Sequence, residues 1–320
     1  MVRIAFFGTP AFAVPSLEGL VSAGEQVVTV ITQPDRPRGR GHRIEPCPVK
    51  VAALAHKIPV LQPERVREQE FAARLASFDA ELGVVVAYGQ ILPEEILQMP
   101  PEGLINVHAS LLPRYRGAAP IQRAVMAGEP ETGITMIRLI REMDAGPMLA
   151  RLTRPIGDDE TSEELERSLS TLGAGLLLST VRAISSGKVQ EEPQDHSLAT
   201  FAPRITREDG LINWSDPART IHNLIRGVCP WPRAFTFLDG TRLLILRGDV
   251  ETSSPLLPAS VPGEVLEVGN DRLLAACGEA TVLAIRELQP EGRRALPTRS
   301  FLAGRSIEPG ARFFRSPNQA

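Results

Sequence analysis

The chain has 320 residues, 43% of them hydrophobic and 23% charged, with a formal net charge of −3. That length accommodates two ordinary domains of roughly 100–200 residues, and the composition excludes fibrous and intrinsically disordered classes. A near-neutral charge excludes a whole-molecule basic field, so a nucleic-acid partner has to be met by a local patch.

Residues 2–7 (VRIAFF) predict a buried strand ending at Gly8, residues 12–23 a helix and residues 27–32 (VVTVIT) a second strand. Gly8-Thr9-Pro10 invites a dinucleotide reading. The full G-x-G-x-x-G fingerprint is absent, however, and Pro10 removes a backbone donor where a pyrophosphate would need one. Residues 33–50 then carry Arg36, Arg38, Arg40, His42, Arg43 and Lys50 against Asp35 and Glu45, which reads as a basic surface loop.

Further buried strands are expected at 82–87, 104–107 and 133–140, with helices at 49–56, 64–76 and 118–127 between them. Such alternation argues for an α/β domain with a mostly parallel sheet covered by helices on both faces. Thr161 and Glu164 form a capping box before a long amphipathic helix that ends near Ser185-Ser186-Gly187. Residues 188–205 are polar and aperiodic, a linker from a first domain over 1–187 to a second over 206–320. In the second domain Asp216 is placed to cap a helix at 217–227. Short β-runs follow at 234–238, 242–248, 263–268, 272–276 and 280–286, the pattern of a small barrel.

The chemistry concentrates at 105–120, INVHASLLPRYRGAAP. Asn106 and His108 stand two apart at the end of an apolar strand, so both side chains point to one side. In an open α/β sheet ligands bind at the carboxyl ends of the strands. The same spacing also suits two satisfied polar groups in a core, and Asp144, in the Asp-Ala-Gly-Pro turn, also suits an ordinary turn residue. If that turn abuts the Asn106 strand, Asp144 can orient and charge-stabilise His108. Ser110 lacks a G-x-S-x-G elbow, so the set favours direct transfer over a covalent intermediate. Cys47, Cys229 and Cys277 are odd in number and widely spaced. They give neither a disulfide framework nor a C-x-x-C metal pattern, which points to a reducing, cytoplasmic compartment. No stretch approaches the ~20 apolar residues of a membrane span.

The N-x-H-x-S-L-L-P-x-x-R-G segment at 106–117, together with Asp-Ala-Gly-Pro at 144–147, resembles the signature of the folate-dependent formyltransferases. The resemblance runs through essentially the whole chain. It implies a Rossmann-like formyltransferase domain followed by a small OB-like barrel. It also implies 10-formyltetrahydrofolate as a consumed cosubstrate, with no tightly bound cofactor and no metal, and Asn106, His108 and Asp144 as the catalytic set. Ser110, Leu111, Leu112 and Pro113, with Gln90, Ile91 and Leu92, are implied in folate binding.

RIAFFGTPAFAVPSL, Gln33-Pro-Asp-Arg-Pro, ATFAPRITREDGLINW and PWPRAFT are similar to the branch that formylates initiator methionyl-tRNA. That likeness implies the tRNA acceptor arm as partner, met by Arg36, Arg38, Arg40 and Arg43, and a monomeric protein. Residues 206–320 hold fourteen arginines against thirteen carboxylates, fewer net positive charges than such a role leads one to expect. A formyltransferase acting on a small-molecule amine, a formyltetrahydrofolate hydrolase and a non-enzymatic RNA-binding protein are the alternatives.

Overall fold

A computed structural model of the protein describes residues 2–38, 43–252 and 260–317. In chain order its first elements are β1 (Arg3–Gly8), α1 (Val14–Ser22), β2 (Gln26–Ile31), β3 (Arg36–Arg38), β4 (Arg43–Glu45), α2 (Pro48–Ala55), β5 (Val60–Leu61), α3 (Gln69–Ala76), β6 (Leu82–Val86), α4 (Glu94–Leu97) and β7 (Leu104–His108). Then come α5 (Pro120–Ala127), β8 (Glu131–Arg138), β9 (Met148–Pro155) and α6 (Ser162–Ser185). The chain continues with α7 (Ala218–Gly227), β10 (Ala234–Leu238), β11 (Thr241–Glu251), β12 (Val265–Val268), β13 (Leu273–Ala276), β14 (Val282–Pro290), β15 (Leu296–Pro297) and α8 (Thr298–Ala303).

Two compact units result. Residues 1–120, 131–155 and 166–202 form the first, and residues 121–130, 156–165 and 203–320 the second. The units are thus discontinuous in sequence, unlike the linear division at 187 and 206. Contacts explain why residues 121–130 and 156–165 group with the later chain. Helix α5 packs so closely on α7 that a Cβ at Gly227 would lie 2.5 Å from Met126. The buried guanidinium of Arg226 donates to the carbonyls of Gly157 and Glu160, both at 3.2 Å.

The first unit is built on a seven-stranded sheet in the order β5-β2-β1-β6-β7-β8-β9. Its first five strands are parallel, while β7–β8 and β8–β9 pair antiparallel. Apolar side chains of α3 and α4 (Phe71, Leu75, Ile96, Leu97) bury Ala5, Phe7, Val85 and Leu104 on one face. Helix α6 covers the other: its Gly173 allows an approach in which a Cβ would sit 3.1 Å from Val107. Since strand side chains alternate, Asn106 and His108 share the Leu104 face. Fully burying each such aliphatic or aromatic side chain contributes roughly 1.5–3 kcal/mol.

The capping box at the start of α6 is present: the Thr161 amide donates to Glu164 Oε2 at 2.9 Å and the Glu164 amide to Thr161 Oγ1 at 3.3 Å. The basic segment is not a plain loop, because β3 and β4 pair as an antiparallel ribbon, Arg36 opposite Glu45. The segment expected as a linker lies along the first unit instead: Glu192 bridges to Met148 and Phe201 to Arg116.

The second unit is an antiparallel sheet in the order β10-β11-β14-β13-β12, with β15 on β14. Its two edges are joined through the last described residues, where Phe314 pairs with Phe237 of β10 and Arg312 with Glu264 beside β12. That closure completes a small barrel, and among the described residues no long strand edge is left open. Inside it Trp214 stacks on Phe313 and donates Nε1–H to Thr236 Oγ1 at 2.9 Å. Asp216 does not cap α7. Its carboxylate accepts from Asn213, and the Ala218 amide is satisfied by Thr281 Oγ1 at 2.7 Å.

Candidate active site

Strand β7 delivers Asn106 and His108 to the carboxyl end of the parallel sheet, between β6 (Asn106 opposite Val85) and β8 (His108 opposite Thr135). Beyond His108 the chain must turn. Thr135 supports that turn with its hydroxyl, which donates to the Ser110 carbonyl at 2.7 Å and accepts the Leu112 amide at 3.2 Å. Ser110 closes the loop by donating Oγ–H to the Arg114 carbonyl at 2.7 Å.

Tyr115 follows in the left-handed region at φ 61, its amide donating to Thr200 Oγ1 at 2.9 Å. This conformation aims its carbonyl at His108 Nε2, 3.0 Å away. A carbonyl only accepts, so Nε2 carries a proton. The other ring nitrogen, Nδ1, faces Asp144 Oδ1 at 3.7 Å, too long for a direct hydrogen bond but close enough for an ion pair once the ring is charged. Tyr115 therefore orients the imidazole, while Asp144 supplies the facing charge.

Asp144 is itself held tightly. It lies in the left-handed region at φ 51, and its Oδ2 accepts the Gly117 amide at 2.8 Å. His108 and the Asp144 side chain are 5% and 12% exposed, a shielded pair in which charge is weakly screened. Asn106 is only half-buried, and its carboxamide makes no hydrogen bond among the described residues, leaving its donor and acceptor for a ligand.

The other residues implied by resemblance divide. Ser110 and Leu112 turn inward: the Ser110 hydroxyl is committed to Arg114, and Leu112 packs with Ile137 and Met148. Any folate contact from them would be through backbone. Leu111 and Pro113 are half-buried in the same loop. Gln90, Ile91 and Leu92 follow β6, the strand next to β7, and so leave the same sheet edge. Ile91 is 79% exposed, and the Gln90 side chain accepts the Val66 amide. Before them Tyr88 is buried against Phe7, its hydroxyl unpartnered among the described residues, and burial pushes its phenol up.

Arg36 is exposed at the root of the β3–β4 ribbon, while Arg38 and Arg43 lie within the ribbon strands. Arg40 lies outside the described residues. The ribbon root is fixed by Lys50, which donates to Asp35 Oδ2 and to Gln62 Oε1; the bonds that Asp35 accepts from Lys50 and from Gln62 Nε2 hold its carboxyl below the usual carboxylate range.

Sequence reading missed Tyr115, Thr135, Arg116 and Gln194. Arg116 has a local signal, being the arginine of L-L-P-x-x-R-G. Gln194 has none, since nothing in a polar, aperiodic stretch marks one glutamine as buried.

Residues 2–181 match the family model for formyl transferase, and residues 204–306 match that for its C-terminal domain. The chain belongs to the formyl transferase family. Within that family it is 47% identical over 311 residues to a methionyl-tRNA formyltransferase of Geobacter sulfurreducens, covering 97% of this chain and 96% of the relative. A methionyl-tRNA formyltransferase of Heliobacterium modesticaldum is 46% identical over 98% of this chain and all of its own length. Solved structures share the fold at lower identity. WlaRD, a sugar 3N-formyl transferase, superposes with a TM-score of 0.67 at 17% identity over 92% of this chain and 99% of its own. HypX from Aquifex aeolicus, in complex with tetrahydrofolic acid, has a TM-score of 0.64 at 17% identity, covering 94% of this chain and 47% of that one. Among the described residues no helix is long and apolar enough to cross a membrane.

Proposed function

We propose that this formyl transferase moves the formyl group of 10-formyltetrahydrofolate to the α-amine of initiator methionyl-tRNA. The observation that carries the reading is the shielded His108–Asp144 pair beside the unengaged Asn106, in a chain alike over its whole length to methionyl-tRNA formyltransferases. The first unit, which includes residues 166–202, carries the transfer chemistry, and the second, which contains 206–320, binds the tRNA.

The neutral amine nitrogen attacks the formyl carbon, forming the new C–N bond. The bond from carbon to N10 of the folate then breaks, and the amine proton ends on N10. Asn106 Nδ2–H donates to the formyl oxygen as it gains negative charge. His108 donates from Nδ1, the nitrogen not held by Tyr115. Each such donor contributes about 3–4 kcal/mol in comparable oxyanion sites. Asp144 stabilises the protonated ring and relays the amine proton through one water.

The loops at Ser110–Pro113 and at Gln90, Ile91 and Leu92 contact the folate. Arg36, Arg38, Arg40 and Arg43 contact acceptor-arm phosphates, a term that weakens with salt. The enzyme acts as a monomer in the cytoplasm.

Purified protein is assayed with 10-formyltetrahydrofolate and, in parallel, initiator methionyl-tRNA, glycinamide ribonucleotide, a nucleotide-linked amino sugar and water. Formylation of methionyl-tRNA far above the other arms is expected. Transfer to a small amine, or release of formate at a comparable rate, would overturn the assignment.

A further inference from the structure

The segment 188–202 places two buried groups behind the site. Gln194 is 5% exposed and Arg116 6%. Arg116 donates from Nε and Nη2 to Gln194 Oε1, at 3.1 and 2.6 Å. An arginine has only donors, so the glutamine oxygen must face it, and the orientation of the amide is thereby fixed. The amide nitrogen then points the other way. It donates to the carbonyl of Asp144 at 2.8 Å and to that of Gly146 at 2.7 Å.

These two bonds clamp the turn that carries Asp144. The residue stands in the left-handed region at φ 51, which disfavours a side chain. A turn held against that preference needs partners, and Gln194 provides both of its donors. On the far side Arg116 is locked to the same segment: its amide donates to the Thr200 carbonyl at 2.8 Å, its carbonyl accepts from the Ala202 amide at 2.7 Å, and its guanidinium meets His196 Nδ1 at 3.3 Å.

We propose that Gln194 is a positioning residue for Asp144, oriented by Arg116, so that residues 194–202 set where the carboxylate stands relative to His108. The inference rests on Asp144 serving the transfer step. Gln194 touches no reacting atom. Its effect is on the rate of transfer and not on the binding of either substrate.

The test is a double-mutant cycle between Gln194→Glu and Asp144→Asn. The glutamate keeps the acceptor for Arg116 but loses both donors to the turn. With Gln194→Glu alone, kcat is expected to fall about ten- to thirtyfold, with KM for both substrates changed less than about twofold. Combined with Asp144→Asn it should cause no further fall, because two members of one coupled unit are not additive. A merely structural role would instead multiply the two losses. Gly117 gives a readout that needs no activity: its amide, bonded to Asp144 Oδ2, should exchange with solvent at least about tenfold faster in the glutamate variant.

Gln194→Met, which loses the same donors without a buried charge, carries the same predictions if the glutamate variant does not fold. Unchanged kcat, or losses that multiply, would overturn the inference. Should Asp144→Asn be fully active, the role given to Asp144 in the transfer fails instead, and Gly117 exchange still decides whether Gln194 holds the turn.

Discussion

The Tyr115 carbonyl accepts from His108 Nε2 at 3.0 Å, with Tyr115 in the left-handed region at φ 61. One backbone conformation thus leaves Nδ1 as the nitrogen that faces Asp144. Glycine adopts that conformation without strain, whereas a β-branched residue does not. Tyr115→Gly should therefore keep most of kcat. Tyr115→Val should lose stability by roughly 1–3 kcal/mol and kcat with it. Urea unfolding and steady-state kinetics of the two variants check this; equal behaviour would separate the carbonyl from the catalytic ring.

Arg40, which lies between β3 and β4 in sequence, is one of the four arginines proposed to contact the acceptor arm. Arg40→Ala should raise KM for methionyl-tRNA and lower the slope of log KM against log salt by about 1, one phosphate contact removed. Folate binding should not change. An unaltered slope would take Arg40 out of the tRNA interface.

His222 gives a pH dependence unrelated to catalysis. Burial, with Arg226 and Arg219 nearby, pushes its imidazole down, against smaller opposing effects of Asp159 and Asp249. Its Nδ1 is buried without a hydrogen-bond partner among the described residues. The unfolded chain protonates this group near its usual value of about 6.5, and the folded chain only at lower pH. The stability it contributes is therefore present above about pH 6.5 and lost as pH falls through the folded value. Tm should drop between pH 7 and 5, and drop less in His222→Gln. Parallel Tm curves for the two proteins would contradict this.

What the sequence made legible follows from how local each signal is. Asn106 and His108 could be placed on one face because period-2 alternation needs only the strand itself. The Thr161–Glu164 box spans one helical turn. By contrast, β9 is an edge strand whose Arg151 and Arg154 interrupt its apolar pattern, so it gave no strand signal. The cap of α7 was misassigned to Asp216 because its true acceptor, Thr281, arrives from a distant hairpin. Gln194 was missed for the same reason: its importance lies in long-range partners, Arg116 and the Asp144 turn. Strand geometry and turn composition alone left the roles of Asn106, His108 and Asp144 open; resemblance joined them, and the packing of the Asp144 turn against β7 supplies the distances.

The most direct test of the transfer centre is a single-turnover measurement of formyl transfer to initiator methionyl-tRNA by Asn106→Ala, His108→Ala and Asp144→Asn, with folate affinity measured alongside. The rate should fall by about a hundredfold or more in each, with folate affinity and Tm close to those of the parent protein. Rates within about threefold of the parent in any one of them would contradict the role given to that residue, and in all three would place the chemistry elsewhere.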